Sequence, residues 1–250
     1  MKKIYEPKAV VLSQDLHIIP NIYDLEKLGT GHDGFVFRYA DKALKLLKYD
    51  VEHRKAKGLM TFEKTVFFKN ELDMKRIVNP IDIMLDIDGA FSGYVMECLE
   101  DITVEKNKES SMQVGDFSCE SLMASFYDLQ DDFNQLTKKK VIAKDINKGS
   151  YLYCQDFIHI CDVDKFEHNS SCSAIDDLNK KSLNFVIAKC LYYEMLKLDE
   201  LDKEQLKKLS RWVKKCSNSR TFLNELEREI NYSSKSPISE YVKYVYQKIL

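Results

Sequence analysis

The sequence predicts an α+β fold in two parts, strand-rich over residues 1–99 and helix-rich over 100–250. Three observations predict it. Residues 22–48 set short apolar, β-branched and aromatic runs between tight turns, as antiparallel strands do. Residues 121–140 place Leu122, Phe126, Leu129, Phe133 and Leu136 at helical spacing. From Asp176 onward the apolar pattern stays helical to the end.

Taken in order, residues 22–28 and 35–40 read as two strands around Gly29-Thr30-Gly31-His32-Asp33-Gly34. Three of the chain's eight glycines fall in these six residues, so the loop has a purpose beyond turning. A dinucleotide fingerprint needs a helix after its glycines. Phe35-Val36-Phe37 is strand chemistry, which makes the glycines the tip of a hairpin. Asp41-Lys42 turns into a third strand over 43–48, and Thr61 to Val78 reads as an amphipathic helix stopped by Asn79-Pro80. Strands over 81–87 and 91–99 follow, joined by Asp88-Gly89. Residues 101–118 are polar and read as a linker, which puts the boundary between the parts near 99–101. After the helix over 121–140 come short strands and loops over 141–164. Helices are expected over 178–198, 202–216, 219–232 and 237–250, the last with Ser236 as N-cap and Pro237 in its first turn.

Composition narrows the function classes. A chain of 250 residues suits one large domain or two lobes with room for a core. Hydrophobic and charged fractions of 44% and 31% describe a soluble globular protein. A net charge of −2 gives no global electrostatic case for binding nucleic acid or an anionic membrane. No apolar run approaches the roughly 18–20 residues that span a bilayer. Seven cysteines without a C-x-x-C pair, and a start without an apolar signal core, lead us to expect reduced thiols and a cytoplasmic protein. Five histidines without close Cys spacing argue against structural zinc. His32 reads as exposed, His159 as packed, Trp212 as core, and the lysines around Lys207-Lys208 as a solvated helix face.

Several segments in order carry candidate chemistry. Gly29 to Val36 fits G-x-G-x-x-G-x-V, the loop that covers ATP phosphates. Ala43 and Lys45 share one face of the third strand. Glu71 lies eight residues before Asn79-Pro80, and Tyr94-Val95-Met96-Glu97-Cys98-Leu99 ends a strand. Val141 to Tyr153 surrounds Asp145, and Phe157-Ile158-His159-Ile160-Cys161-Asp162-Val163-Asp164 is an apolar strand running into two acids.

Together these segments resemble the protein-kinase-like superfamily. The resemblance is to compact bacterial-type members, with a D-x-D feature shared with aminoglycoside and choline kinase-like enzymes. It implies a two-lobed fold, with a β-rich N-lobe over 1–99, a helical C-lobe over 100–250, and ATP with Mg²⁺ as cofactors. Gly29, Gly31, Gly34 and Val36 would cover the phosphates. Ala43 would leave room for adenine, and Lys45 would grip the phosphates, held by Glu71 with Glu63 as the competing acid. Met96 would sit behind adenine, while backbone groups of Glu97 and Cys98 meet its edge. Asp145 would orient the acceptor hydroxyl or take its proton. Asp162 would hold Mg²⁺, with Asp164 helping at a second metal.

The chain departs from the family pattern at Ala143, Lys144 and Ser150, where histidine, arginine and the metal-binding asparagine are expected. Ser150 or Asn147 could supply the missing oxygen ligand. The short stretch after Asp164 has no A-P-E motif, which points away from a conventional regulated protein kinase. The expected activity is transfer of the γ-phosphate to a protein Ser/Thr or a small-molecule hydroxyl. The alternative is a pseudokinase that binds nucleotide or a partner protein, and a weaker third reading is AMP transfer on the same fold.

Overall fold

A computed structural model of the chain describes residues 7–99, 118–146, 150–154, 157–196, 198, 201–230 and 238–250. The architecture is α+β and divides into two compact units. One comprises Met1–Met74, Val78–Glu100 and Val163–Glu167; the other comprises Lys75–Ile77, Asp101–Asp162 and His168–Leu250.

The first unit is built on an antiparallel sheet of β1 (Val10–Leu12), β2 (Ile18–Ile19), β3 (Lys27–Thr30), β4 (Gly34–Tyr39), β5 (Lys42–Leu47), β6 (Asp82–Asp86) and β7 (Phe91–Glu97), in the order β2-β1-β6-β7-β5-β4-β3. Helices α1 (Val51–Ala56) and α2 (Phe62–Glu71) connect β5 to β6. β5 lies between β4 and β7, and its alternation divides the chemistry. Leu44 and Leu46 join Phe37, Met84 and Val95 in an apolar cluster that Val10, Leu12, Ile19 and Ile22 complete. Each side chain of this kind contributes roughly 1.5–3 kcal/mol by leaving water. Ala43 and Lys45 take the opposite face.

Three local departures from the sequence expectation have physical causes. The leading strands β1 and β2 have too few residues to show a period, yet they extend the sheet beyond β6 and add Val10, Leu12 and Ile19 to its apolar cluster. Residues 22–28 do not form one strand. Ile22–Asp24 is a 3₁₀ turn capped by the Asn21 side chain, and the strand begins only at Lys27. The helix expected over Thr61–Val78 stops at Glu71. It starts as expected, with the Thr61 hydroxyl accepting the Lys64 N–H, but farther on the backbone leaves the helix. The buried Asp132 carboxylate accepts the N–H groups of Lys75, Arg76 and Ile77 at 2.9, 2.7 and 2.9 Å. A continued helix would have aimed these three donors at its own preceding carbonyls.

The second unit contains the long helix α3 (Cys119–Lys138), capped by Ser118, with Leu122, Phe126, Leu129, Phe133 and Leu136 all buried. β8 (Val141–Ile142) follows, then the hairpin of β9 (Tyr151–Cys154) and β10 (Phe157–Ile160). β11 (Glu167–His168) pairs with β8. The chain ends in α4 (Ile175–Met195), α5 (Lys203–Ser217), α6 (Phe222–Ile230) and α7 (Ile238–Ile249). Asp202 and Gln205 form a capping box at the start of α5. Trp212 stacks edge-on against Phe222, and His159 is buried in β10. The expected linker over 101–118 lies outside the described residues except for Ser118, as do Ser236 and Pro237. Among the described residues no helix is long and apolar enough to cross a membrane.

Candidate functional site

Lys45 stands on β5 opposite Val36 of β4 and Tyr94 of β7. Its neighbour Gly93 is required to be glycine, since a Cβ there would lie 2.0 Å from the Lys45 carbonyl oxygen. The Lys45 ammonium is buried, its side chain only 10% exposed, and Nζ lies 2.6 Å from Oδ2 of Asp164. Asp164 itself is 2% exposed. Its other carboxylate oxygen, Oδ1, accepts the Tyr94 hydroxyl at 2.8 Å, and its backbone carbonyl accepts Lys64 Nζ at 2.5 Å. Lys45, Tyr94, Lys64 and Asp164 all belong to the first unit.

Burying a lysine and an aspartate together costs several kcal/mol per ion in lost hydration, so such a pair adds little net stability. A sheet that needed only a core would be served as well by two apolar residues. Asp164 faces the Lys45 ammonium, and Glu71, the acid the sequence suggests for it, is the exposed last residue of α2. Glu63, the competing acid, lies in the first turn of α2. There a backbone N–H and the Thr61 hydroxyl hold its carboxyl below the usual range, a helix-start role.

The glycine hairpin joins β3 to β4, the strand next to β5 in the same sheet. Residues 31–33 form its tip, closed by the Gly31 N–H to the Gly34 carbonyl at 2.9 Å. Lys48 ties the tip down, with Nζ donating to the Gly31 carbonyl at 2.6 Å and its N–H to the Asp33 carbonyl at 3.0 Å. Gly34 is demanded by packing, because a Cβ would sit 2.7 Å from the Leu46 carbonyl oxygen. Gly29 and Gly31 are different. A Cβ at Gly29 would meet nothing within 4 Å, and one at Gly31 only the Gly34 carbonyl at 3.9 Å. The hairpin does not need glycine at either position, and the space beside both is open. His32 is exposed and bonds its neighbour Asp33.

At the other end of the strands, Met96 is buried opposite Ala43, and Glu97 is exposed opposite Lys42. The Cys98 N–H donates to the Asp41 carbonyl at 3.3 Å.

The second unit positions the remaining candidates. Asp145 is exposed, and its backbone is left-handed at φ 58°, a conformation that aspartate tolerates better than most residues. The segment before it is fixed from α4. Asn179 Oδ1 accepts the Ala143 N–H at 2.9 Å, Asn179 Nδ2 donates to the Val141 carbonyl at 2.8 Å, and the Ser182 hydroxyl donates to the Ala143 carbonyl at 3.0 Å. Ser150 is fully buried, and its carbonyl accepts the Cys161 N–H at 2.7 Å, closing the β9–β10 hairpin one residue before Asp162. Asp162 is half-buried, and Asn147 lies outside the described residues. Sequence reasoning missed Tyr94 and Asn179. Tyr94 was legible in principle, since period-two alternation puts it on the face of Met96; nothing in the sequence marks Asn179.

Among the described residues no three His, Cys, Asp or Glu side chains converge to hold a metal by themselves. Mg²⁺ in nucleotide sites is commonly held by one or two carboxylates together with substrate phosphates, and a carboxylate such as that of Asp164 is a hard oxygen donor of this kind. No protein-family model matches this chain, and no curated protein matches it.

Proposed function

We propose that the chain is an ATP- and Mg²⁺-dependent phosphotransferase with a protein-kinase-like fold, the first unit serving as the N-lobe and the second as the C-lobe. The observation that carries this reading is the buried ion pair of Asp164 with Lys45, which lies on the strand that follows a glycine hairpin with open space at Gly29 and Gly31. Lys45 would hold the nucleotide phosphates, and the N–H groups of the hairpin would approach them where no Cβ intervenes. Ala43 and Met96 would bound the adenine, with backbone oxygens at Glu97 and Cys98 along its edge. Asp164 and Asp162 would hold Mg²⁺, which when bound neutralises charge on the transferring phosphoryl group. The acceptor hydroxyl oxygen forms a bond to the γ-phosphorus, the bond to the β–γ bridging oxygen breaks, ADP leaves, and Asp145 takes the hydroxyl proton. The acceptor is a protein Ser/Thr or a small-molecule hydroxyl, and the setting is cytoplasmic.

One observation favours a second reading, a nucleotide-binding pseudokinase. Ser150, at the family's metal-binding asparagine, is fully buried. The two readings part on one experiment. The wild type and the Lys45→Met, Asp145→Ala and Asp164→Ala variants are incubated with γ-labelled ATP, Mg²⁺ and cell extract, and thermal shift with ATP is measured in parallel. Transfer in the wild type alone supports the enzyme; a thermal shift without transfer supports the pseudokinase. If no nucleotide shifts the melting temperature, both readings fail.

A further inference from the structure

We infer that Tyr94 is a positioning residue that orients the Asp164 carboxylate and sets its affinity for a divalent cation, an inference that rests on the phosphotransferase reading above. Tyr94 is fully buried in β7, directly across the ladder from Lys45. A phenylalanine would fill the same place in the sheet. The hydroxyl instead reaches Asp164 Oδ1 at 2.8 Å, while Lys45 Nζ faces Oδ2 at 2.6 Å. With Lys64 holding the Asp164 backbone carbonyl, the carboxylate is fixed at both oxygens and at its main chain.

Fixing both oxygens does not exhaust them. A carboxylate offers about four lone-pair sites, so Oδ1 can accept the Tyr94 hydroxyl and keep a site for a hard cation. Lys45 offsets part of the carboxylate charge, which by itself weakens metal binding. Orientation is then what makes the remaining lone pair useful. Outer partners of this kind are typically worth 10–100-fold in metal affinity. Tyr94 touches neither the cation nor the nucleotide in this account; it acts through Asp164. The cation class is hard and oxygen-seeking, Mg²⁺ or Mn²⁺, arriving with nucleotide phosphates.

The test is a Mn²⁺ titration of the full chain with a saturating non-hydrolysable ATP analogue, following free Mn²⁺ by electron paramagnetic resonance. Tyr94→Phe is expected to weaken Mn²⁺ by 10–100-fold while its affinity for the metal-free analogue stays that of the wild type. Asp164→Asn is expected to lose the site. Asp82→Asn, which loosens the leading strands without touching the triad, is expected to bind Mn²⁺ like the wild type. Tyr94→Phe within twofold of wild type overturns the role of Tyr94, and leaves the phosphotransferase reading standing if Asp164→Asn has lost the metal. A wild type that binds neither analogue nor Mn²⁺ overturns both. Should Tyr94→Phe fail to fold, 3-fluorotyrosine placed at position 94 keeps ring and hydroxyl. Its fluorine resonance should then move when Mg²⁺ is added to the analogue complex, and an unmoved resonance overturns the inference.

Discussion

Asn179 Oδ1 accepts the Ala143 N–H at 2.9 Å, two residues before Asp145. With Asn179 Nδ2 on the Val141 carbonyl and the Thr137 hydroxyl, one buried amide from α4 satisfies the backbone on both sides of Ile142 and an α3 side chain. Replacing it by alanine strands buried backbone groups, each costing about 1–3 kcal/mol. Asn179→Ala should lower stability by about 2–4 kcal/mol in urea unfolding, and hydrogen exchange at the Ala143 amide should accelerate more than exchange in α5. If protection at Ala143 is unchanged, Asn179 does not fix that segment.

Breaking the Lys45–Asp164 pair from one side leaves a buried charge without compensation. Lys45→Met is expected to destabilise by about 3–5 kcal/mol, whereas Lys45→Met with Asp164→Leu should recover most of that loss. A double-mutant cycle on urea midpoints measures the coupling. Additive single effects would mean that the two side chains do not share a buried contact.

His159 gives a pH dependence of definite sign. Burial in β10, reinforced by the Arg76 guanidinium and opposed by Asp128, pushes its imidazole down to about 4. Above about 6.5 both folded and unfolded chains carry neutral imidazole, and the full stability is present. Between 6.5 and about 4 the unfolded chain takes up a proton that the folded one refuses, so stability falls as pH falls, by about 3 kcal/mol across the window. Burial also raises the carboxyl of Asp132, which adds its own acid dependence. The measurement is therefore the difference between wild type and His159→Gln from pH 7 to 4.5. That difference should shrink steadily with acid; a constant difference would refute the neutral buried imidazole.

The glycines separate folding from binding. Gly93→Ala and Gly34→Ala drive a Cβ to 2.0 and 2.7 Å from backbone carbonyl oxygens, and should cost about 3 kcal/mol or more or prevent folding. Gly31→Ala enters open space at an ordinary backbone angle and should change stability by less than about 0.5 kcal/mol. Its nucleotide affinity should nevertheless fall at least fivefold in a thermal-shift titration. Unchanged affinity in Gly31→Ala would remove the hairpin from the phosphate site.

The elements legible in the sequence were those with a sustained period or explicit punctuation. α3 repeats its apolar spacing over five turns and sits on its expected core residues. The hairpin of β6 and β7 was marked by Asp88-Gly89, where Gly89 takes φ 81°. β1 and β2 span three and two residues, too short for alternation to stand out, and only the pairing of β1 with β6, some seventy residues later, and of β2 with β1 gives them meaning. The end of α2 was misjudged because the competitor for its backbone donors, Asp132, belongs to another helix. The candidate site shows the same division. Lys45 and the glycines announced themselves by local spacing, whereas Asp164 as partner of Lys45, and Tyr94 beside it, depend on contacts between distant segments.

The first unit takes in Val163–Glu167, a segment separated from the sheet along the chain by residues 101–162 of the second unit. During synthesis the ribosome delivers β1 through β7 early, and the sheet can pair as soon as they emerge. Lys45 and Tyr94 must then wait, for Asp164 follows Tyr94 by 70 residues and Lys64 by 100. Until those residues are made, a nascent chain carries an ammonium and a phenol on a finished sheet face with their carboxylate still untranslated. The ion pair is therefore a late event in the life of the molecule, and a chain cut short before Asp164 would hold a paired sheet with its charged face unfinished.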